Sequence, residues 1–279
     1  MQFKDKFLDL STTKVMGILN VTPDSFSDGG AFNMLENGLT QTDLMLSEGA
    51  DIIDIGGEST RPGAVDVTVQ QELDRVIPVI EAIYQRFDTI ISIDTSKPQV
   101  MTEATNAGAS LINDVRALQG NGALAAAVKA KVPVCLMHMQ GQPRVMQQNP
   151  IYEDVVKDVI TFLQTRISVC CEAGITQEYI IVDPGFGFGK SLEHNYQMLA
   201  DFEEFHKLNV PVLAGMSRKS MIGHLLQRDI DARLAGSVAV ATVAAQKGAQ
   251  IIRVHDVKET VDAVKVINMI NTLRSNNER

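Results

Sequence analysis

The chain has 279 residues, 45% of them hydrophobic, and its 25 Lys and Arg against 34 Asp and Glu give a formal charge of −9. This acidic balance, without a basic stripe interleaved with aromatic residues, argues against nucleic acid as a partner. The opening lacks the apolar stretch of a secretory signal, and no apolar run is long enough to span a bilayer, which predicts a cytoplasmic protein outside the membrane.

Short apolar, β-branched runs recur along the chain, and a polar group follows each of them. The first run, 13–19, precedes Asn20, and the last, 250–252, precedes Arg253 and His255. The six runs between them are 51–55, 90–93, 110–112, 132–137, 179–182 and 210–216. Continuous apolar runs are typical of parallel strands buried on both faces. The length is close to the roughly 250 residues of a (β/α)8 TIM barrel, so the pattern predicts one such barrel as a single domain, 1–279, with its active site at the carboxyl-terminal face.

Segments with apolar residues at three- and four-residue spacing separate these runs, which predicts helices with one buried face. The eight predicted helices span 35–49, 69–86, 98–107, 121–131, 152–173, 193–207, 231–247 and 257–272. Glycines stand where several of these helices should end, and Asp256 is the expected cap of the last one. The glycines are Gly49, Gly108, Gly174 and Gly248.

The three cysteines have no metal-ligand spacing. Cys135 lies inside a predicted strand, and Cys170 and Cys171 are adjacent near the end of a predicted helix. Reduced structural thiols are the prediction.

Two connections at the predicted catalytic face are longer than packing requires, and 140–150 is a third candidate. Connection 21–34 is dense in turn formers, which favours a lid or binding loop over a solvated connector. Asn20, just before it, could support a hydrated magnesium ion or a phosphate oxygen but could not hold a metal alone. In connection 56–68, glycines accompany Thr60 and Arg61, whose hydroxyl and planar donors suit an anion, although glycine-rich turns are common.

Asp94, Asn113 and Asp183 each follow a strongly apolar run and should be at least partly buried. A buried carboxylate is costly without partners. A structural network could satisfy one or two of them, but three on one face of a barrel favour a ligand with several N–H groups, such as a nitrogen heterocycle.

The segment 183–191 invites comparison with a phosphate-binding P-loop. The required first glycine is replaced by Pro184 when the spacing is counted back from Gly189, so the motif fails. The glycines are instead expected to let the backbone turn tightly while Phe188 presents an aromatic wall to a flat substrate.

Cationic and polar groups also follow the last two apolar runs, at 217–220 and 253–255. Arg253 and His255 are two residues apart and should point to one side of a strand end, and Lys219 and Ser220 should open a helix whose amides attract anions. A solvated face, or a structural role for His255, is the alternative. His138 could line the same cavity with Met137 but receives no role.

These motifs together, in this order, closely resemble dihydropteroate synthase, a bacterial folate-pathway family. The resemblance runs from about residue 17 to 255 and rests on 17–29, 56–63, 93–95, 112–114, 183–190, 217–220 and 253–255. It implies a transferase that condenses 6-hydroxymethyl-7,8-dihydropterin diphosphate with p-aminobenzoate, giving 7,8-dihydropteroate and diphosphate. It also implies a sulfonamide target.

The resemblance divides the polar residues among the parts of the two substrates. The pterin would be bound by Asp94, Asn113, Asp183 and Lys219, with Arg253 stacked beside it. The diphosphate would be held with Mg²⁺ by Asn20, Thr60, Arg61 and His255, of which Asn20 is the metal ligand. The p-aminobenzoate would be surrounded by the first two loops, Phe188 and Ser220. Catalysis would rest on Asp94, Asp183, Lys219 and Arg253.

Two alternatives remain open at this point. A transferase on the same scaffold that moves a methyl group from a reduced folate to a corrinoid would share the pterin-binding acids, but it has no use for Thr60, Arg61 and His255. A catalytically silent pterin-binding protein would not need intact Lys219 and Arg253. The family resemblance also implies a homodimer, and the alanine- and glycine-rich segment 231–247 could pack against either the barrel or a second subunit.

Overall fold

The computed structural model describes residues 1–22, 30–59, 67–141 and 150–277. The strands within these residues are β1 (Gln2–Phe3), β2 (Lys6–Phe7), β3 (Lys14–Asn20), β4 (Ile52–Gly56), β5 (Ile90–Asp94), β6 (Leu111–Asp114), β7 (Val134–Met137), β8 (Ile180–Asp183), β9 (Leu213–Ala214) and β10 (Ile251–Val254). The α-helices are α1 (Gly30–Ser47), α2 (Val69–Arg86), α3 (Pro98–Ala107), α4 (Ala123–Ala130), α5 (Val155–Glu172), α6 (Leu192–Ala200), α7 (Ser220–Leu226), α8 (Leu234–Gln246) and α9 (Val257–Asn277).

Strands β3 to β10 form one parallel sheet of eight strands in the order β8-β7-β6-β5-β4-β3-β10-β9. A parallel bridge between Val182 of β8 and Val212, just before β9, joins the two edges of this sheet. The sheet is therefore a nearly closed barrel with helices between its strands, and the predicted (β/α)8 TIM barrel is confirmed. All carboxyl ends of its strands lie at one face, where barrels of this type place their active sites.

Alternate residues of each strand face the barrel interior, because side chains alternate along a strand. The lowest interior positions are apolar and pack together as one cluster: Phe3, Met16, Ile52, Ile90, Leu111, Cys135, Ile181, Leu213 and Ile251. Two residues further along four of these strands, the same-facing positions carry Asp54, Asn113, Asp183 and Arg253. The interior therefore changes from an apolar floor to a polar upper part.

An antiparallel hairpin of β1 and β2, which was not predicted from the sequence, closes the lower end of the barrel. Phe3 is fully buried in the apolar floor, whereas Phe7 on the second strand is exposed. Strands of two residues carry too short a pattern for periodicity to reveal them.

Helices α2 and α3 have the predicted bounds, α7 begins where Lys219 and Ser220 were expected to open a helix of unstated length, and the other six helices differ at one or both ends. Gln71 and Thr68 form a capping box that fixes the start of α2. The predicted helix 193–207 is instead α6 followed by a 3-10 helix, Phe202–Leu208. Among the described helices, none is long and apolar enough to cross a membrane.

The glycines that were expected to end helices have the left-handed backbone that this position favours. Their φ angles are 100° for Gly49, 133° for Gly108, 104° for Gly174 and 88° for Gly248. Asp256 precedes α9 as expected, but both of its carboxylate oxygens accept hydrogen bonds from Arg218.

The cysteines are free thiols, as predicted. Cys135 and Cys170 are buried, and burial raises the pKa of each thiol, that of Cys170 to about 11. Cys171 is exposed and takes no part in the core.

Candidate active site

The guanidinium of Arg253 joins two carboxylates at the upper end of the barrel. Its Nε donates to Asp54 Oδ2 at 2.6 Å, and its Nη2 donates to Asp94 Oδ2 at 2.7 Å. The three residues come from β10, β4 and β5, which are far apart in sequence. Only the side chain of Asp54 is completely buried, while those of Asp94 and Arg253 are 13% and 19% exposed. Arg253 and Asp94 can therefore contact a ligand at this end of the barrel through their exposed surface.

Burial and neighbouring charges set the protonation of this cluster. Burial, and after it the negative charge of Asp54, raise the pKa of Asp94 to about 7, against the attraction of Arg253. Burial disfavours the charge on Arg253, but Asp54 and Asp94 outweigh this effect and raise its pKa above the ordinary value. Arg253 is therefore a permanent cation, whereas Asp94 changes charge near neutral pH.

Asn113 and Asp183 lie beside this cluster, as predicted. Asn113 Nδ2 donates to Asp54 Oδ2 at 3.2 Å. Asp183 is 5% exposed, and its Oδ1 accepts from Gly185 N at 2.7 Å. A Cβ added to Gly215 would lie 3.8 Å from Arg253 Cβ and 3.9 Å from Asp183 Oδ2, so the two predicted residues border one space.

Lys219 reaches the same space from the start of α7. Its Nζ donates to Phe186 O at 2.6 Å and lies 4.5 Å from the centre of the Phe188 ring. Burial lowers its pKa to about 8, while Asp183 favours the charged form. Ser220 begins α7 as predicted and is half-buried there. An ammonium held over an aromatic face is attracted by the ring electrons, so Lys219 and Phe188 form a unit.

The loop after β8 is built around glycines that no other residue could replace. Gly185 and Gly189 have φ angles of 73° and 64°. A Cβ on Gly185 would lie 1.9 Å from His138 O, and one on Gly189 would lie 2.3 Å from Gln140 O. The glycines therefore serve a tight turn pressed against the segment after β7, in agreement with the rejection of a P-loop.

Lys190 ties this loop to β7 from inside the protein. Its Nζ lies 2.9 Å from His138 Nδ1, and it donates to Gly185 O at 2.9 Å and to Phe188 O at 3.1 Å. Burial lowers the pKa of Lys190, but three acceptors match the three N–H groups of an ammonium. The His138 ring packs edge-on against Phe162 at 4.9 Å, so His138 supports the loop.

His138 yields a prediction about acid stability. Burial, and then the charge of Lys190, lower its pKa to about 3, whereas in an unfolded chain it is about 6.5. Between these values the unfolded chain binds more protons, so the free energy of unfolding should fall as pH drops below about 6.5, by up to about 1.4 kcal/mol per pH unit from this group. Urea unfolding of His138→Asn, which keeps an acceptor for Lys190, should show a shallower fall. The same change at exposed His224 should leave the slope unaltered, and an unaltered slope in His138→Asn would contradict the prediction.

His255 follows the end of β10 and is held by a neighbouring serine. Ser217 Oγ lies 3.1 Å from both the backbone N and the Nδ1 of His255. If the hydroxyl accepts from the backbone and donates to Nδ1, the ring proton is on Nε2. Arg218, which the sequence placed on this face, makes a two-point ion pair with Asp256.

Of the other three predicted diphosphate-binding residues, the structure describes one. Asn20 ends β3 and pairs with Gly56 of β4, at the carboxyl-terminal face. Thr60 and Arg61 lie outside the described residues. Within the described ranges, no group of three or more His, Cys, Asp or Glu residues could hold a metal ion.

Met137 lines a cavity of about 220 Å³ between the segments that follow β6 and β7. Val115 and Met139 also line it, and both pack against Met137 and Phe188 as one apolar cluster. The sequence allowed Met137 and His138 to line one cavity, and of these two residues Met137 lines this cavity.

Asp54 is the residue of this site that sequence reasoning missed. The predicted site consists of polar groups at the ends of the apolar runs, whereas Asp54 lies within β4, between Ile53 and Ile55. An aspartate inside an otherwise apolar strand, two residues before the strand end, was the signal. Side-chain alternation would have turned it towards the same interior as Asp94.

Comparison with known proteins gives a consistent result. A family model described as a pterin binding enzyme matches residues 16–255. Dihydropteroate synthase of Haemophilus influenzae is 60% identical over 262 residues, which cover 94% of this chain and 95% of that protein. The structure of Yersinia pestis dihydropteroate synthase in a sulfonamide drug complex matches with a TM-score of 0.94 and 57% identity, covering 98% of this chain and 99% of that chain. Xanthomonas albilineans dihydropteroate synthase with 4-aminobenzoic acid matches with a TM-score of 0.89 and 50% identity over 95% of both chains.

Proposed function

Because this chain belongs to the dihydropteroate synthase family of pterin-binding enzymes, we propose that its barrel condenses 6-hydroxymethyl-7,8-dihydropterin diphosphate with p-aminobenzoate. The products are 7,8-dihydropteroate and diphosphate, so the protein is a transferase. The observation that carries the proposal is the polar upper end of the barrel, where carboxylates, an amide and two cations surround one space.

The pterin fits the part of this space that is lined by hydrogen-bonding groups. Asp94, Asn113 and Asp183 can accept N–H groups from the edge of a nitrogen heterocycle, because carboxylate and amide oxygens are acceptors. Lys219 can donate to the ring's acceptors. Arg253, fixed at two corners by carboxylates, offers its planar face for stacking.

The diphosphate fits the rim above the pterin. His255 would donate from Nε2, and Asn20 would contribute a neutral oxygen beside it, with Thr60 and Arg61 supplying further donors. Magnesium prefers oxygen ligands and keeps several waters and substrate phosphates in its shell, so a site with Asn20 as its protein ligand fits a metal brought in largely by the diphosphate. When bound, Mg²⁺ would offset the negative charge of the departing diphosphate.

The p-aminobenzoate is proposed to lie near Phe188 and Ser220. Phe188 is 9% exposed, which leaves a small aromatic surface for the benzoate ring. Ser220 supplies a hydroxyl at the first turn of α7. The two long connections after β3 and β4 are proposed to surround the rest of the p-aminobenzoate.

The reaction breaks the bond between the pterin methylene carbon and the diphosphate oxygen, which keeps the electron pair. Positive charge then spreads over the pterin, and an ionised Asp94 would offset it. The lone pair of the p-aminobenzoate nitrogen forms the new C–N bond, and this nitrogen then loses a proton. The amine is already nucleophilic, so the site does not require a strong base.

An assay of the purified protein with both substrates and Mg²⁺ tests the function directly. Formation of dihydropteroate and diphosphate in equal amounts is the expected result, and no product in the presence of both substrates would contradict it. The close relatives favour this reaction over methyl transfer to a corrinoid and over a silent pterin-binding protein. A cytoplasmic location and a single domain over 1–279 stay predictions of the sequence.

A homodimer is proposed through the exposed face of α9. Val266, Met269, Ile270 and Leu273 are exposed and recur at spacings of three and four residues, which forms an apolar stripe on one side of the helix. Exposed apolar stripes of this kind mark interaction surfaces.

The double variant Met269→Lys and Leu273→Lys is therefore expected to sediment as a monomer at concentrations where the unaltered protein is a dimer. Two charges in an apolar contact would have to be buried unpaired, which is costly. The control is Leu44→Lys, which changes an exposed leucine on α1. A double variant that still sediments as a dimer would exclude this face.

A further inference from the structure

Asp54 is a fully buried carboxylate below the ligand space, and it is not one of the proposed substrate-binding residues. It lies in β4, its side chain has no exposed surface, and its Oδ1 has no hydrogen-bond partner among the described residues. A buried carboxylate with one unsatisfied oxygen costs stability even when it is ion-paired, and an apolar residue of similar volume often serves a core better. Its presence in an apolar strand therefore calls for a function.

The other oxygen of Asp54 holds two residues of the proposed pterin site at once. Oδ2 accepts from Arg253 Nε at 2.6 Å and from Asn113 Nδ2 at 3.2 Å. Nε is the guanidinium nitrogen attached to the side-chain methylene groups, and the terminal nitrogen Nη2 donates to Asp94. The N–H groups of a guanidinium lie in its plane, so two such donations to separate carboxylates orient that plane, and Asp54 and Asp94 together set the surface that Arg253 can offer to a flat ligand.

The contact with Asn113 has a separate consequence. An amide whose Nδ2 donates to a buried carboxylate cannot exchange its nitrogen and oxygen by rotation without placing two oxygens against each other. Asn113 thus keeps Oδ1 and one N–H for a ligand, in a fixed arrangement. A single carboxylate oxygen defines the orientation of both groups.

We propose that Asp54 is a positioning residue of the pterin site, which acts on substrate affinity through Arg253 and Asn113 without touching the substrate. This inference rests on the proposed function, because the two residues it orients are the proposed pterin-binding groups. Groups held rigidly before a ligand arrives bind it more tightly, since less freedom is lost on binding. Replacement of Asp54 should therefore weaken the affinity for the pterin substrate and leave the affinity for p-aminobenzoate almost unchanged.

The test compares the Michaelis constants for the two substrates in Asp54→Asn and Asp54→Ala. Asparagine keeps an oxygen for both donors but loses the charge, and alanine loses both. The KM for the pterin diphosphate should rise about 10-fold in Asp54→Asn and about 100-fold in Asp54→Ala, as expected for a weakened and a lost charge-assisted hydrogen bond. The KM for p-aminobenzoate should change less than about twofold. Equal changes in the two constants, or none, would overturn the proposal.

A double-mutant cycle with Arg253→Lys separates positioning from a general loss of stability. If Asp54 acts mainly through the guanidinium fork, Asp54→Asn should raise the pterin KM much less in the Arg253→Lys background than in the unaltered protein. Fully independent effects would overturn the proposal. Thermal unfolding of each variant identifies those that fold, and Asp54→Asn, which keeps the volume, is the variant that decides if Asp54→Ala does not fold.

Ser92→Ala is the matched control. Ser92 is the register partner of Asp54 on β5, is fully buried, and has a hydroxyl without a partner among the described residues. Its replacement should leave both Michaelis constants unchanged, and a pterin-specific rise in this control would overturn the assignment to Asp54. An unaltered protein that forms no dihydropteroate would refute the proposed function itself, whereas an active protein with an unaltered Asp54→Asn variant would refute only this inference.

Discussion

Replacement of Asp94 by asparagine is expected to lower kcat on the order of 100-fold, with a much smaller change in the binding of pterin diphosphate. Asparagine keeps an oxygen that can accept from Arg253 Nη2, which now binds Asp94 Oδ2 at 2.7 Å. It cannot supply the negative charge that offsets positive charge on the pterin as diphosphate leaves. The effect should therefore appear in the step that develops this charge, measured as kcat in a steady-state assay with both substrates.

The pH dependence gives a second readout of the same carboxylate. Burial first, together with the charge of Asp54, raises the pKa of Asp94 to about 7, against the pull of Arg253. The ionised form is the active one in this mechanism, so kcat/KM for the pterin substrate should decline as pH falls through about 7. This decline should be missing from Asp94→Asn, whose side chain does not titrate.

Asp88→Asn is the matched control, because Asp88 lies just before the same strand at the opposite end and is exposed. Its replacement should change neither kcat nor the pH profile. A kcat within a factor of about two of the unaltered value in Asp94→Asn would rule out an electrostatic role for this residue.

Replacement of Arg253 by alanine is expected to have two large effects. The first is on binding: the loss of a planar cation should weaken the affinity for pterin diphosphate, measured as the dissociation constant by calorimetry. The second is on folding, because removal of the cation leaves Asp54 and Asp94 buried without their common partner. Breaking a buried ion pair in this way costs about 3–5 kcal/mol in the free energy of unfolding, to be measured by urea titration.

Arg253→Lys separates these two effects. Lysine retains the charge, so the loss of stability should be smaller than in Arg253→Ala, but it lacks the planar fork and should still bind the pterin substrate weakly. Arg86→Ala, at an exposed position at the end of α2, is the control for a lost surface arginine. An unaltered dissociation constant in Arg253→Ala would count against the proposed stacking role.

Local sequence patterns were sufficient for the strands and most helices of the barrel. Buried parallel strands must be continuously apolar and helices must repeat every three to four residues, and both patterns are legible without knowledge of the partner segments. The hairpin that carries Phe3 escaped this reasoning, since two-residue strands have no period. The helix predicted at 193–207 also differed, because its second half tightens into a 3-10 helix.

Part of the site could also be predicted from local sequence patterns. Asp94, Asn113 and Asp183 stand at or near strand ends, so a rule about strand ends finds them. Asp54 stands inside a strand, and its place in the site depends on which side of β4 faces the interior. Arg218 carries the same charge as Arg253, yet it pairs with Asp256 and not with Asp54 and Asp94, and only three-dimensional contacts distinguish the two.

The sequence by itself determined the alternation of strands and helices, and hence a barrel whose polar groups gather at one face, because hydrophobic burial imposes a local repeat that each segment displays. Only the tertiary structure decided which charges pair. Asp54 binds Arg253 from a position 199 residues away, and Lys190 meets His138 across 52. Electrostatic and hydrogen-bond energies depend on distances of a few ångströms between atoms, and no local pattern records them.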